Sequence, residues 1–351
     1  MNLVSTRYAF SSAYLKGEEA KVVAYDHLNG IVQKSKTVPD VLDIIKDTDI
    51  GEYLSDSTAG KTAVFEEFDI SLWQYMGQSL ARFKRFSIPR TMVDMLDVYT
   101  KKYDIANIKT ALRQTLTGET APMIPLGEID RQGRREELSQ TKSVEEIAEI
   151  LTEARLGDYA TIIREHIKEK DPRSTFEAEF KMDSTYHEDM MTVLKTMSDG
   201  SILAKALGII IDLLNVHAVF RFALGAKGSP PGEYILPDGH MLTPEVLREL
   251  PSLKINEIVT RLEHTQYYIM AQHIAKNFEK EGTITVIDRA IDRNKVRLSR
   301  ELLSPRALSP CNLLWYLILK ETEIRNLRLI LKTVLDGIPL SGIRDYLVYA
   351  S

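Results

Sequence analysis

At 351 residues the chain is long enough for two or three domains, or for one larger body assembled from repeated units. Apolar residues make up 44% and charged residues 27%, which excludes disordered and fibrous classes, and a formal charge of −5 gives no basic excess for neutralising a phosphate backbone, so no nucleic acid is expected as a partner. The single cysteine, Cys311, excludes an intramolecular disulfide and a cysteine-based zinc cluster, and fits a reducing, cytoplasmic setting.

The first 21 residues lack an apolar core of signal-peptide length, and their spacing predicts an amphipathic helix. Residues 37–53, TVPDVLDIIKDTDIGEY, open with Thr37 and place Asp40 three residues later, a capping-box start followed by apolar positions 41, 44 and 45 at helical spacing. At 55–62, SDSTAGKT ends like a phosphate-binding loop in Gly60, Lys61 and Thr62. It has Ser55 where that loop needs its first glycine, and no strand feeds it. Residues 80–90, LARFKRFSIPR, mix cations with aromatics and predict an amphipathic surface helix ending before Pro89. Next comes YDIANIKTALRQ (103–114), a helix that keeps Asp104 and Asn107 beside its apolar stripe, although both residue types favour caps and turns. Beyond a Gly/Pro-rich loop at 117–135, residues 143–159, SVEEIAEILTEARLGDY, align without a gap on 37–53, with Ser143 and Glu146 as the capping pair. The apolar region 202–224 is interrupted by Lys205, Asp212, Asn215, His217 and Arg221, too many polar groups for a lipid-facing span. A second loop fills 225–240, INEIVTRLEHTQYY (255–268) matches the 37–53 segment only with a gap, and short β-branched runs such as TITVI (283–287) interrupt an otherwise helical pattern.

The Asp104–Asn107 segment recurs. DLLNVHAVFR (212–221) and EIRNLRLILK (323–332) repeat its order of acid, Asn, cation or imidazole, and terminal Arg or Lys, with Asn107, Asn215 and Asn326 lying 108 and 111 residues apart. IPLG (124–127), LPDG (236–239) and IPLSG (338–342) follow the three copies as chain breakers. Apolar–Asp steps at Phe68-Asp69, Met182-Asp183 and Ile291-Asp292 mark a second repeated helix. On a helix the acid and Asn flank one side of the apolar stripe and the cation and terminal base the other. The acid and Asn tie the helix to its neighbours, or one polar flank faces an inner surface and meets a partner.

Nothing in the chain assembles a catalytic group, a cofactor-binding motif or a metal site. His264 and His273 are nine residues apart on opposite helix faces, and His217 stands where the other copies carry Lys109 and Arg328, so it replaces a boundary cation. Carboxylate pairs such as Glu66 with Asp69 and Asp288 with Asp292 read as solvated helix faces.

With the motif in hand, YDIANIKTALR, IDLLNVHAVFR and KETEIRNLRLIL (320–331) resemble the C/d family of stalk proteins in A-type and V-type rotary ATPases. The resemblance implies an all-α fold of three similar helical bundles, residues 1–125, 126–235 and 236–351, around a pseudo-threefold axis, funnel-like. It implies a noncatalytic central-stalk subunit that couples the shaft subunits D and F to the membrane proteolipid (c/K) ring for proton or sodium transport, peripheral on the cytoplasmic side of the membrane. Carried onto this sequence, the motif gives Asp104, Asn107 and Arg113; Asp212, Asn215 and Arg221; Glu323, Asn326 and Lys332, as scaffold or inner-face positions. The alternative is a helical-repeat interaction scaffold unrelated to rotary ATPases, its units stacked in a line.

Overall fold

A computed structural model describes residues 7–58, 64–167, 172–225 and 234–349. These residues are all-α, with no strand among them. The helices are α1 (Ala9–Glu19), α2 (Tyr25–Lys34), α3 (Val38–Ile45), α4 (Asp49–Thr58), α5 (Phe65–Lys84), α6 (Arg90–Thr117), α7 (Glu128–Arg131), α8 (Arg135–Ser139) and α9 (Val144–Glu153). There follow α10 (Gly157–His166), α11 (Pro172–Thr196), α12 (Gly200–Ala223), α13 (Pro244–Glu249), α14 (Ile255–Arg261), α15 (Tyr268–Glu281), α16 (Thr285–Leu303) and α17 (Cys311–Leu335), with 3-10 turns at Leu250–Ser252 and Leu340–Tyr346.

Two short helices and two long ones recur in the same order: α3, α4, α5, α6; then α9, α10, α11, α12; then α14, α15, α16, α17. The capping pairs start each set. Asp40 N donates to Thr37 Oγ1 at 3.4 Å while Thr37 N donates to Asp40 Oδ2 at 2.9 Å. Glu146 N reaches Ser143 Oγ at 3.2 Å, and the Glu146 carboxylate reaches back to Lys142 N at 2.8 Å. In the third set Lys254 stands at the cap, so only the return bond survives, Lys254 N to Glu257 Oε2 at 2.8 Å. The β-branched run at 283–287 forms no strand: Thr283 and Ile284 lead into α16, which begins at Thr285. Helix α5 stops at Lys84 and Pro89 caps α6, which makes 80–90 a helix end with Leu80 and Phe83 buried and Arg82 and Arg85 exposed. The phosphate-loop-like Gly60, Lys61 and Thr62 lie outside the described residues.

The chain divides into two compact units, residues 64–193 and residues 1–63 with 194–351. In the first, Ile105, Ile108 and Leu112 of α6 pack with Ile147 and Leu151 of α9, Ile163 of α10 and Met182 of α11. In the second, Leu213, Val216 and Phe220 of α12 meet Ile258 of α14, Ile274 of α15 and Ile287 of α16 in the same layout. Ile324, Leu327 and Leu331 of α17 are likewise fully buried, and α17 packs on α1, α3 and α16. Burying one such side chain stabilises the fold by about 1.5–3 kcal/mol, so these stripes carry much of each unit's cohesion. Helix α12 is long and apolar enough to cross a bilayer, yet its apolar stripe is core and its Asp212, Asn215 and His217 are bonded within the protein.

Candidate functional site

Each long helix, α6, α12 and α17, carries its acid and asparagine three residues apart, which puts both side chains on one face. Their job is visible in the backbone that returns past that face. After α6, Gly118 takes the left-handed conformation (φ 76°) and ends the helix, its N–H bonding Gln114 O at 2.9 Å. Returning, the chain meets Asn107, whose carboxamide treats Ile124 as a peptide group would: Nδ2 donates to Ile124 O at 2.9 Å and Ile124 N donates to Oδ1 at 2.7 Å. Four residues on, Asp104 accepts from Glu128 N at 2.8 Å and Ile129 N at 2.9 Å, satisfying two otherwise unpaired donors at the start of α7. Between them sits Gly127, at φ 113°, where a Cβ would stand 2.4 Å from Asp104 Oδ1, so only glycine fits.

The second copy repeats this geometry. Asn215 Nδ2 donates to Leu236 O at 3.0 Å and Leu236 N to Asn215 Oδ1 at 2.9 Å. Asp212 accepts from His240 N, Met241 N and Leu242 N at 3.1, 2.7 and 3.4 Å, and from the Tyr267 hydroxyl at 2.7 Å. A Cβ on Gly239 would lie 2.2 Å from Asp212 Oδ1. In the third copy Asn326 Nδ2 donates to Val348 O at 2.7 Å and Val348 N to Asn326 Oδ1 at 3.0 Å, while Glu323 accepts from Val23 N at 2.8 Å and from Lys320 Nζ at 2.5 Å. The three gripped residues, Ile124, Leu236 and Val348, are each 112 apart in sequence.

All six acid and Asn side chains are buried, yet the acids are compensated differently. Burial pushes the Asp104 carboxyl up to about 7 against the pull of its two backbone N–H bonds, with Glu128 and Asp130 adding like charge. Burial also raises Asp212, opposed by the Tyr267 hydroxyl and three N–H groups. Tyr159 of α10 is buried with its hydroxyl unpartnered among the described residues. Glu323 instead shares its pocket with an ammonium, the side chains of Lys320 and Glu323 being 2% and 0% exposed.

The opposite flank holds the cations. Lys109 Nζ bridges both oxygens of Asp183 at 2.7 Å, and Arg113 forks onto Glu179 at 2.9 and 3.1 Å, tying α6 to α11. Likewise His217 Nε2 lies 2.6 Å and Arg221 Nη1 3.5 Å from Asp288 Oδ1, tying α12 to α16. His217 therefore takes the carboxylate contact that Lys109 takes in the first copy. Lys332 bonds Asp336 on its own helix at 2.7 Å.

Three features escape the sequence reading. Asp183 matches Asp288 rather than Asp292, since Asp288 takes the cation of its copy while Asp292 accepts from Arg325 Nε at 2.6 Å; the Ile287-Asp288 step carried that signal. Neither Asp288 nor Asp292 belongs to a merely solvated face. The third breaker is not the gripped turn: residues 338–342 close α17 and enter the Leu340–Tyr346 turn, and Asn326 grips Val348 beyond it. Tyr267 and Val23 join the site from outside the repeated motif, and Lys320 joins it from the turn of α17 before Glu323. Among the described residues no group of His, Cys, Asp and Glu is arranged to hold a metal ion.

Together the fold and the three gripping sites define a class, a helical-repeat protein whose polar motif organises its own backbone. The chain belongs to the ATP synthase (C/AC39) subunit family, which matches residues 12–346. Among curated relatives, the C subunit of the A-type ATP synthase of Methanocaldococcus jannaschii is 26% identical, over 97% of this chain and 86% of the relative. Proteins of the same description from Thermococcus kodakarensis and Pyrococcus furiosus are 25% and 23% identical, each over 97% of this chain and 90% of the relative.

Proposed function

We propose that this chain is the noncatalytic central-stalk component of an A-type ATP synthase, a rotor part that couples the shaft subunits D and F to the membrane proteolipid ring. In this reading the three helix sets stand around a pseudo-threefold axis as a funnel, peripheral on the cytoplasmic side of the membrane, and rotation passes through the chain to drive proton or sodium transport or to be driven by it. The observation that carries the reading is the family match across residues 12–346. The threefold recurrence of the acid–Asn grip supports it, because a part that transmits torque needs its long helices fixed to the segments that connect them. The acid and Asn residues are then scaffold, and Arg113, Arg221 and Lys332, at 58, 39 and 53% side-chain exposure, are the motif members that a partner can reach.

Purified D–F complex and detergent-solubilised proteolipid ring, each offered to the tagged chain at near-physiological salt, test the reading. It expects both to be retained, and simultaneous retention of shaft and ring on one chain. Retention of neither contradicts it.

A further inference from the structure

In the first two copies one continuous stretch of chain satisfies both halves of the grip. Asn107 holds Ile124 and Asp104 holds 128–129; Asn215 holds Leu236 and Asp212 holds 240–242. The third copy differs. Asn326 holds Val348, near the end of the sequence, but Glu323 holds Val23, 300 residues away and near its beginning. The segment that follows Val23, α2 to α4, stands in the order where α7 to α10 follow the first grip and α13 to α15 the second.

We propose that this grip is a seam: α17 clasps the segment around Val23 and the segment around Val348 together, α2 to α4 supply to it what α7 to α10 and α13 to α15 supply to the first two, and its two gripped residues, unlike theirs, are not joined by a short stretch of chain. Other contacts line the same junction. The Tyr25 and Tyr349 rings meet edge to face with centroids 4.8 Å apart, Arg344 Nη2 donates to Asn29 Oδ1 at 3.4 Å, and Arg325 Nη1 donates to Tyr346 O at 2.9 Å. Trp315 Nε1 donates to Glu19 Oε1 at 2.9 Å, anchoring α1 to the same helix. Where Asn107 or Asn215 lets go, the returning loop stays tied at both sides. Where Asn326 or Glu323 lets go, no short stretch of chain joins the two gripped segments, and their contact with each other makes them loosen together.

Hydrogen exchange read by mass spectrometry on the whole chain tests the seam. Asn326→Ala is expected to speed exchange by about tenfold to a hundredfold in both 22–34 and 340–349, as expected for loss of a buried hydrogen-bonded pair, whereas Asn215→Ala should act only around 236–242. Acceleration of 340–349 with 22–34 left at its original rate overturns the proposal. The unaltered chain gives a second reading that needs no variant: across a urea series the two end segments should open with one shared dependence, and separate dependences contradict the seam. Permutation gives a third. With residues 1 and 351 joined by a short Gly/Ser linker and new ends placed between Leu126 and Gly127, which separates the residue gripped by Asn107 from those gripped by Asp104, Asn326→Ala should become local and Asn107→Ala should become two-ended. A permuted chain that does not fold, or one in which Asn326→Ala keeps its two-ended effect, counts against it.

Discussion

Asn107 grips Ile124 with both of its amide functions, so its loss strands a part-buried N–H and a part-buried C=O at once. Asn107→Ala is expected to lower unfolding free energy by about 2–4 kcal/mol in urea titrations, about twice the cost of one stranded group. Asn107→Asp should be worse, because it turns the donor into a second acceptor facing Ile124 O and adds a buried charge. Glycines supply a matched comparison. Gly127→Ala combines a positive φ of 113° with a Cβ inside the Asp104 carboxylate, whereas Gly118 sits in the αL region at φ 76° with open space around it. Gly118→Ala should cost about 1 kcal/mol and Gly127→Ala at least about 2 kcal/mol more. Titration follows from burial. The Asp104 carboxyl is raised from 3.8 to about 7 in the folded chain, so between those values the folded state holds a proton that the unfolded state has released. That contribution is therefore full below about pH 4 and lost as pH rises to about 7, with a slope approaching 1.4 kcal/mol per pH unit. Asp104→Asn should flatten stability against pH across this window, leaving the smaller slope from Asp183 and Asp212, whose shifts have the same sign. The role of these residues was partly legible in sequence, since Asp and Asn inside a helix signal local backbone bonding; Tyr267 and Val23 were not, because each arrives from a segment with no motif of its own.

Among the elements, the short capped helices and the long striped ones were readable from periodicity, and the third set was harder because it lacks a hydroxyl cap and is shortened between Lys254 and Tyr267. The displaced third grip has a physical origin. The gripped residue follows its Asn by 17, 21 and 22 positions, and a grip on backbone atoms leaves no side-chain signature at the gripped end. Pairing of the long helices also depends on charge. Lys109 and Asp183 link α6 to α11 at a half-exposed site, and a double-mutant cycle with Lys109→Met and Asp183→Asn should return a coupling of about 0.5–1 kcal/mol that shrinks from about 0.05 to about 0.5 M salt. The apolar stripes carry more: Leu112→Ala or Leu331→Ala, both at fully buried positions, should each cost about 2–5 kcal/mol.

For the molecule as a whole, sequence could suggest three copies but not how the ends meet, because Val23 and Glu323 are related only through the folded chain. Removing residues 347–351 takes away buried Leu347 and Val348 and leaves Asn326 without its backbone partner, so the truncated chain should lose more than about 4 kcal/mol of stability. Function rests on assembly, and the most direct measurement is a cryo-electron microscopy reconstruction of the chain bound to the D–F shaft and the proteolipid ring. We expect three similar lobes around one axis, the shaft foot seated among them, and α6, α12 and α17 in equivalent places. Lobes strung in a line, or a chain bound at the rim of the complex away from shaft and ring, would rule out the rotor coupling proposed for this chain.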